Sequence, residues 1–172
     1  MQFSFKQKKL KRIFFFSTSE VYAGSIDTKL IKFPTPEKQL IALPKLSNKR
    51  SSYLLSKIYG EALCLHSNLP FIIIRPHNIY GPRMGNAHVI PQLIQKIKKK
   101  GKFFVFNPLH KRTFCFIDDF INCIIYLMNR NKLRHQIYNI GNPNNEINLI
   151  NLKKIFDKIM MKKNQFKKIE YP

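Results

Sequence analysis

The chain carries the stretch Ile13-Phe14-Phe15-Phe16, which runs directly into Ser17-Thr18-Ser19-Glu20-Val21-Tyr22. A short apolar run between a basic segment and hydroxyl residues indicates a buried strand. A second run, Phe71–Ile74, leads into Arg75-Pro76-His77-Asn78-Ile79-Tyr80-Gly81-Pro82. Continuous apolar runs are typical of parallel strands, and open α/β sheets bind ligands just beyond the carboxyl ends of such strands. We therefore expect ligand-binding groups in the two stretches that follow the apolar runs.

Extended and helical segments alternate along the rest of the chain. Apolar runs predict further strands at Phe103–Phe106, Phe114–Ile117 and Ile137–Ile140. Capping residues and apolar spacing predict four helices: one capped by Ser51 or Ser52 and running to about Ser67, one from Pro91 to Gly101, one capped by Asp118 with Ile121, Ile124, Ile125 and Met128 on one face, and one capped by Asn148. The polar stretch from Ala23 to Lys49 is predicted to be a long loop. This alternation predicts an α/β fold with a mainly parallel sheet.

The charge of the chain is strongly positive. Its 172 residues contain 31 Lys and Arg against 9 Asp and Glu, a formal net charge of +22. Such an excess suits nucleic acid, an anionic membrane surface or an anionic small molecule. The lysines are scattered, with one local cluster at Lys98–Lys100 and Lys102. This distribution favours a solvated basic surface over a nucleic-acid site, and it would also attract a small molecule that carries a diphosphate.

The cysteines and the apolar runs bear on the cellular setting. Cys64, Cys115 and Cys123 lie in apolar stretches without metal-ligand spacing, which predicts buried reduced thiols and no metal site. No apolar run approaches the length of a membrane span. The first 16 residues lack the long apolar core of a signal peptide. We therefore expect a cytoplasmic protein with no membrane partner.

Tyr53 and Lys57 are four residues apart in a predicted helix, so their side chains share one face. A lysine ammonium close to a phenol stabilises the phenolate, which makes the tyrosine a workable acid or base near neutral pH. The alternative is a surface pair on an ordinary amphipathic helix, because this spacing is common. Thr18, just after the first strand, offers a hydroxyl for a substrate oxygen, and the alternative there is a hydroxyl-rich turn.

The three segments around Thr18, Tyr53 and Asn78 occur in an order that resembles the extended short-chain dehydrogenase/reductases. This group contains the NAD-dependent nucleotide-sugar epimerases, dehydratases and decarboxylases. The resemblance continues through Met84–Pro91, Arg112–Asp119 and Tyr138–Gly141, and it covers the chain from about Arg12 to its end. It implies a partial Rossmann-like, doubly wound sheet with a small substrate-binding subdomain, NAD as the cofactor and a nucleotide sugar as the substrate.

The resemblance also implies roles for the residues nearest the chemistry. Thr18 matches a residue that bonds the reacting sugar hydroxyl, and Tyr53 matches the catalytic acid or base. Lys57 matches the lysine that binds the nicotinamide ribose and tunes the tyrosine. Ser19 and Glu20 match positions that carry additional acid or base groups in dehydratases and decarboxylases. The segment Ser17-Thr18-Ser19-Glu20-Val21-Tyr22 resembles the dehydratases and decarboxylases more than it resembles a simple epimerase.

Further positions match residues that hold the cofactor and the substrate. Pro76 resembles the residue beside the nicotinamide carboxamide, and Asn78 resembles a ligand of the substrate diphosphate. His88 and Val89 lie in a segment that resembles the loop entering the nucleotide-sugar site. Arg112 resembles the arginine that pairs with the substrate phosphates, a task that suits its planar fork. The histidines themselves, including His77, are expected to have packing or polar roles.

The sequence departs from this family in one respect. Family members open with a Gly-x-x-Gly-x-x-Gly turn that holds the NAD pyrophosphate, and no such turn is present among the 6 glycines. We therefore expect residues 1–172 to form a single incomplete domain. Its residues to about 80 would be the remainder of the Rossmann half, and residues from about 81 to 172 would be mostly the substrate-binding region. A separate amino-terminal polypeptide that binds NAD and a homodimer are both compatible with the resemblance.

Three functions stay open on the sequence. The first is epimerisation, dehydration or decarboxylation of a nucleotide sugar through a transient keto-sugar. The second is binding of a nucleotide sugar without turnover by a truncated, inactive or partner-dependent chain. The third, a basic nucleic-acid binder, rests on charge alone and predicts steeply salt-dependent binding.

Overall fold

A computed structural model describes residues 9–98, 109–133 and 136–166. A 3-10 turn covers Ser19–Tyr22. The other elements follow in chain order: β1 (Ile13–Phe16), α1 (Ala23–Asp27), α2 (Ser51–Leu65), β2 (Phe71–Pro76), β3 (Ile79–Tyr80), α3 (Val89–Lys98), β4 (Lys111–Arg112), β5 (Cys115–Phe116), α4 (Ile117–Met128), β6 (Ile137–Ile140), β7 (Ile147–Asn148) and α5 (Leu149–Phe166). The predicted strand Phe103–Phe106 and the predicted helix end at Gly101 lie outside the described residues.

The chain divides into two compact units. The first contains residues up to Asn78 together with Asp118–Gly141, and the second contains Ile79–Ile117 together with the residues from Asn142 onward. The chain therefore leaves the first unit after β2 and returns to it with α4 and β6. The sequence predicts that residues from about 81 to 172 are mostly the substrate-binding region, and the structure groups residues 118–141 of that range with the first unit.

The first unit is built on a parallel sheet of three strands in the order β1-β2-β6. Ile13 is paired with Phe71 in one ladder, and Ile73 is paired with Ile137 in the other. The central strand β2 is buried on both faces, as continuous apolar strands of parallel sheets are. The predicted α/β fold with a parallel sheet is confirmed.

One helix covers each face of this sheet. On one face, α4 contributes Leu127 to a cluster with Ile72, Ile74 and Ile140. On the other face, α2 contributes Cys64 to a cluster with Phe71 and Ile73, against which Ile13 and Phe15 are packed. Alternate residues of β1 and β2 therefore serve opposite faces, as the two-residue period of a strand requires.

The inner face of α4 differs from the predicted one. The residues that face the sheet are Phe120, Ile124 and Leu127, whereas Ile121 is 45% exposed and Met128 is 61% exposed. The prediction was right for Ile124 but wrong for Ile121, Ile125 and Met128, because α4 is apolar around much of its circumference and the spacing fits more than one face. Packing against the sheet selects one of them. Asp118 is the second residue of the helix and therefore does not cap it.

The ends of other helices also differ from the predictions. The helix α2 begins at Ser51 itself, and its N-cap residue Arg50 makes no side-chain capping bond. The Ser51 hydroxyl instead donates to the Lys45 carbonyl at 2.5 Å. The helix α1 interrupts the predicted loop, and α3 begins at Val89, before Pro91.

In its described residues, the second unit contains two small sheets and two helices. The strands β3 and β5 are parallel, while β4 and β7 are antiparallel. Its core joins Leu93 of α3 to Leu149 and Leu152 of α5. The predicted cap of α5 is confirmed, because Asn148 Oδ1 accepts the Asn151 amide at 2.8 Å. Across the described residues, no helix is both long and apolar enough to span a membrane.

Gly24 of α1 approaches the loop before α2 very closely. A Cβ added at Gly24 would lie 2.1 Å from the Ala42 carbonyl oxygen and 2.6 Å from that of Leu43. Since both are backbone atoms, we expect Gly24→Ala to lower the free energy of unfolding by about 1–3 kcal/mol in urea titrations. Gly85→Ala is the matched control, because its added Cβ meets nothing closer than 3.8 Å. An unfolding midpoint unchanged by Gly24→Ala would contradict this contact.

Candidate active site

The carboxyl ends of the three parallel strands lie together at one edge of the first unit. The Ser17 amide donates to the Ile74 carbonyl at 2.7 Å, and the His77 amide donates to the Ile140 carbonyl at 2.8 Å. A Cβ added at Gly141 would lie 3.2 Å from the His77 Cβ, so Gly141 lets the two chains pass closely. The residues that follow β1, β2 and β6 are thus neighbours, at the edge where α/β sheets bind ligands.

The turn after β1 presents the first predicted group. Thr18 is extended and 8% exposed, and its Oγ1 accepts the Glu20 amide at 3.2 Å. This bond caps the 3-10 turn and fixes the direction of the segment. Ser19 Oγ lies 2.9 Å from His77 Nδ1, which joins the end of β1 to the end of β2.

The predicted tyrosine and lysine lie at the start of α2. Tyr53 is 39% exposed, and Lys57 Nζ lies 5.8 Å from the centroid of its ring. Lys57 Nζ donates to the Phe16 carbonyl at 2.8 Å, which brings its ammonium to the last residue of β1. The structure therefore brings Tyr53 and Lys57 to the strand end that leads into Thr18. Their chemical roles stay predictions.

Glu20, the predicted additional acid or base, is held by a residue that the sequence analysis did not single out. Arg50 Nε and Nη2 donate to the two Glu20 carboxylate oxygens, each at 2.6 Å. The Arg50 guanidinium also lies 4.8 Å from the centroid of the Tyr53 ring. Its hydrogen bonds to Glu20, and then the charge of that carboxylate, raise the pKa of Arg50. The guanidinium therefore stays charged beside the tyrosine.

A buried ion pair ties α2 to the central strand. Arg75 Nε donates to Glu61 Oε1 at 2.9 Å and Arg75 Nη2 to Glu61 Oε2 at 2.5 Å. The two side chains are 3% and 4% exposed. The Ser17 hydroxyl also donates to Glu61 Oε1, at 2.5 Å. Lys57 and Glu61, one helical turn apart, thus hold two successive residues at the end of β1.

The rest of this network surrounds the Arg75 guanidinium. Arg75 Nη1 donates to the Tyr22 hydroxyl and to the Glu37 carbonyl, and the Tyr22 hydroxyl donates to Asn139 Oδ1 at 3.0 Å. Burial lowers the pKa of Arg75, but the hydrogen bonds and charges of Glu61 and Tyr22 together outweigh it, so the pKa is raised. Throughout the described ranges, every buried side-chain nitrogen and oxygen has a hydrogen-bond partner.

The predicted cofactor and substrate residues are divided between the two units. Pro76 ends β2 in the first unit, where Asn78 adopts a positive φ of 46° and its Nδ2 lies 3.0 Å from His77 Nε2. In the second unit, Val89 is the first residue of α3 and His88 directly precedes it, while Arg112 lies in β4 opposite Ile147. The binding roles of all five stay predictions: Pro76, Asn78, His88, Val89 and Arg112.

Sequence reasoning missed Arg50 and gave His77 no site role. Arg50 precedes Tyr53 by three residues, which is a helical spacing, but its bond to Glu20 spans thirty residues of sequence. His77 is visible as a neighbour of Asn78, but its contact with Ser19 requires the pairing of β1 with β2. As for a metal, the described part of the chain contains no group of three or more His, Cys, Asp or Glu side chains that could hold one.

A parallel sheet with a Tyr-x-x-x-Lys helix at its carboxyl edge defines an α/β protein of the Rossmann-like class. The profile described as "NAD dependent epimerase/dehydratase family" matches residues 3–141. The chain therefore belongs to the NAD-dependent epimerase/dehydratase family, and the predicted resemblance is confirmed. Relatives and structural neighbours are sugar epimerases, dehydratases and decarboxylases.

Two curated relatives illustrate the match in sequence. The bifunctional polymyxin resistance protein ArnA of Wigglesworthia glossinidia brevipalpis is 33% identical over 173 residues, which cover 92% of this chain and 26% of that protein. UDP-D-apiose/UDP-D-xylose synthase 1 of Arabidopsis thaliana is 27% identical over 192 residues, which cover 94% of this chain and 49% of that protein. The chain thus spans about half the length, or less, of these relatives.

A solved structure is also similar to this chain over about half of its own length. UDP-glucuronic acid 4-epimerase from Bacillus cereus, in complex with UDP-glucuronic acid and NAD, superposes with a TM-score of 0.70 at 25% identity. The match covers 90% of this chain and 47% of the epimerase. The cofactor of the family is NAD.

Proposed function

We propose that this chain provides the acid/base and substrate-binding part of an NAD-dependent enzyme that epimerises, dehydrates or decarboxylates a nucleotide sugar. One observation carries the proposal: Tyr53 and Lys57 lie on α2 at the carboxyl end of β1, where Lys57 Nζ bonds the Phe16 carbonyl two residues before Thr18. The exposed phenol of Tyr53 and the ammonium of Lys57 lie there beside the strand end that leads to the Thr18 hydroxyl, at a ligand-binding sheet edge.

In this proposal Thr18, Tyr53 and Lys57 have different roles in the deprotonation of one sugar hydroxyl. Thr18 Oγ1 holds the hydroxyl oxygen, and Tyr53 takes its proton and later returns it. The Lys57 ammonium stabilises the phenolate that forms on Tyr53. Bound NAD would supply a hydride acceptor for the carbon that carries this hydroxyl. Ser19 and Glu20 then determine which of the three reactions follows.

The donor groups at this edge fit the nicotinamide end of NAD. Lys57 carries an ammonium with three donors, of which one is used at the Phe16 carbonyl, so it has donors left for ribose hydroxyls. Pro76 ends the neighbouring strand and carries no amide hydrogen. A Gly-rich turn for the pyrophosphate is not found in the sequence. We propose that another polypeptide segment, preceding or separate, supplies that turn.

The substrate side of the proposal rests on anion-binding chemistry. Asn78 offers an amide, and Arg112 offers a planar fork that suits phosphate oxygens. His88 and Val89 are proposed to line the entry of the sugar. A net charge of +22 attracts a diphosphate over the whole surface. A homodimer, a cytoplasmic location and the absence of a nucleic-acid partner stay predictions.

Calorimetry of NAD binding tests the proposal. We expect the purified chain, alone or mixed with a Gly-rich amino-terminal polypeptide, to bind NAD in the presence of a UDP- or dTDP-sugar. Lys57→Met should weaken NAD binding at least tenfold, because it removes charge-assisted hydrogen bonds to the ribose. Lys111→Met is the control, because Lys111 is an exposed lysine paired with Glu146, and this substitution should not weaken NAD binding. No NAD binding in either arrangement would contradict the proposal.

A second candidate function is binding of a nucleotide sugar without turnover. It is favoured by one observation, the missing Gly-x-x-Gly-x-x-Gly turn, which is the main anchor of the cofactor. Chromatographic analysis of the sugar after incubation with NAD separates the two. A changed sugar supports the enzyme, whereas calorimetric binding of an unchanged sugar under every condition supports a binding protein.

A further inference from the structure

His77 links two residues that the proposed function uses. Its Nδ1 lies 2.9 Å from Ser19 Oγ, and its Nε2 lies 3.0 Å from Asn78 Nδ2. We infer that His77 is a positioning residue, which fixes Ser19 as a hydrogen-bond donor to an oxygen of the sugar. This inference rests on the proposed function and assigns to Ser19 the role of a donor rather than that of a base.

The contact with Asn78 determines which nitrogen of the imidazole carries the hydrogen. An amide nitrogen donates and does not accept, so the ring nitrogen that faces Asn78 Nδ2 must be the acceptor. In a neutral imidazole one nitrogen accepts and the other donates. Because His77 Nε2 accepts, the hydrogen lies on Nδ1, and Nδ1 donates to Ser19 Oγ.

The direction of this bond decides what the Ser19 hydroxyl can do. Since Ser19 Oγ accepts from His77, its own hydrogen is directed away from the imidazole. Among the residues that the structure describes, Ser19 Oγ makes no other hydrogen bond. The opposite tautomer would have Ser19 donate to Nδ1, as a serine does when a histidine activates it as a nucleophile. The observed contacts therefore leave Ser19 as a donor.

The imidazole is also held by its own backbone. The His77 amide donates to the Ile140 carbonyl at 2.8 Å, and a Cβ added at Gly141 would lie 3.2 Å from the His77 Cβ. The neighbouring carboxylate does not compete for Ser19, because both of its oxygens accept from Arg50, each at 2.6 Å. The position of the donor at Ser19 is thus set by β2 and β6 together.

Ser19 lies where an oxygen of the sugar is expected. It directly follows Thr18, which in the proposed function holds the reacting hydroxyl, and it begins the 3-10 turn beyond β1. Its side chain is half-buried, so a ligand at the sheet edge can reach it. A donor that is oriented in advance stabilises the negative charge that develops on an oxygen during the reaction, and it needs no reorganisation to do so.

Nuclear magnetic resonance of the chain labelled with 15N in its histidines tests the tautomer without substrate or cofactor. Two-bond couplings to the ring hydrogens distinguish a protonated ring nitrogen from a bare one, and His77→Phe identifies the signals of His77. At a pH at which the ring is neutral, we expect the hydrogen on Nδ1. A hydrogen on Nε2 would make Ser19 the donor to His77, and it would overturn the inference while leaving the proposed function intact.

Turnover provides the second arm, measured with NAD and a UDP- or dTDP-sugar on the chain, alone or with the Gly-rich polypeptide. We expect His77→Phe to lower kcat about tenfold, as the loss of one hydrogen bond does, and Ser19→Ala to lower it at least as much. Because His77 acts through Ser19, adding His77→Phe to Ser19→Ala should change kcat less than about twofold. His66→Phe, at an exposed histidine just after α2, is the matched control and should leave kcat unchanged.

Two amide replacements separate the contacts of His77. The amide nitrogen of an asparagine is attached to Cγ, as Nδ1 is in histidine, so His77→Asn keeps a donor for Ser19 and should recover most of kcat. His77→Gln carries its amide one bond further out, where it replaces Nε2 beside Asn78, so its kcat should stay as low as that of His77→Phe. Equal kcat in the two amide variants, or additive effects of His77→Phe and Ser19→Ala, would overturn the inference. No turnover by the unaltered chain in either arrangement would overturn the proposed function and, with it, the inference.

Discussion

Replacement of Arg75 by methionine is expected to cost the chain about 3–5 kcal/mol of unfolding free energy. The substitution would leave the Glu61 carboxylate buried at 4% exposure with the Ser17 hydroxyl as its remaining donor. A buried charge without its counter-ion carries the full cost of its desolvation. The loss is a large fraction of the roughly 5–15 kcal/mol that stabilises an ordinary domain, so we expect a much lower urea concentration to unfold the variant. Urea titration followed by circular dichroism measures the change in the free energy of unfolding.

Two companion variants separate the loss of the charge from the loss of a side chain. The double variant Glu61→Leu with Arg75→Met removes both charges and should recover most of the lost stability, because apolar replacement of a buried pair is often neutral or stabilising. Glu146→Gln breaks the exposed pair with Lys111, whose side chains are 54% and 65% exposed, and should change stability by less than about 1 kcal/mol. If Arg75→Met were as mild as Glu146→Gln, the buried pair would be refuted.

Substitution of Tyr53 by phenylalanine is expected to lower the turnover of the nucleotide sugar about 10²- to 10⁴-fold, which is the usual contribution of a positioned acid or base. The ring and its contact with Arg50 are retained, and only the hydroxyl is lost. Turnover is measured as the rate at which a keto-sugar or an altered sugar forms in the presence of NAD. The sample is the chain, alone or with the Gly-rich polypeptide, in whichever arrangement binds NAD. The Kd for the sugar should change far less than the turnover number, because the hydroxyl is proposed to act on the reacting proton.

The same helix supplies a control for Tyr53→Phe. Tyr59 lies less than two turns further along α2 and is 66% exposed. Tyr59→Phe makes the identical chemical change away from the end of β1 and should leave turnover within about twofold of the unaltered chain. Equal turnover in the two variants would remove Tyr53 from the proposed acid/base role, while the binding of NAD and sugar could still be assessed separately.

The parts of the fold that the sequence predicted are those in which local pattern and burial agree. Ile13–Phe16 and Phe71–Ile74 are continuous apolar runs, and both are strands of the parallel sheet. The inner face of α4 was not predictable, because Ile121, Ile125 and Met128 are as apolar as Phe120, Ile124 and Leu127. Only the contact with β2 and β6 distinguishes the two sets. The return of the chain to the first unit at Asp118 is likewise a long-range property.

The candidate site likewise contains pairings that the sequence predicts and pairings that depend on the fold. Tyr53 and Lys57 are brought to one helix face by their spacing alone, so the sequence was sufficient to pair them. Arg50 and Glu20, by contrast, are joined across thirty residues, and this pairing depends on how α2 packs beside β1. Their partnership could not be derived before the fold, and neither could the contact of Ser19 with His77.

The polar network around Arg75 constrains how this sequence can change over evolution. Each member completes a hydrogen bond of another, and the network joins the segment after β1 to α2, β2 and β6 through Ser17, Tyr22, Glu61, Arg75 and Asn139. Any single replacement leaves a neighbour unsatisfied, so acceptable changes must come in compensating sets. Mutational effects at these positions are therefore epistatic, whereas Lys111 and Glu146 are free to vary independently. The helix that carries Tyr53 and Lys57 is therefore held in place by residues whose substitutions we expect to be correlated.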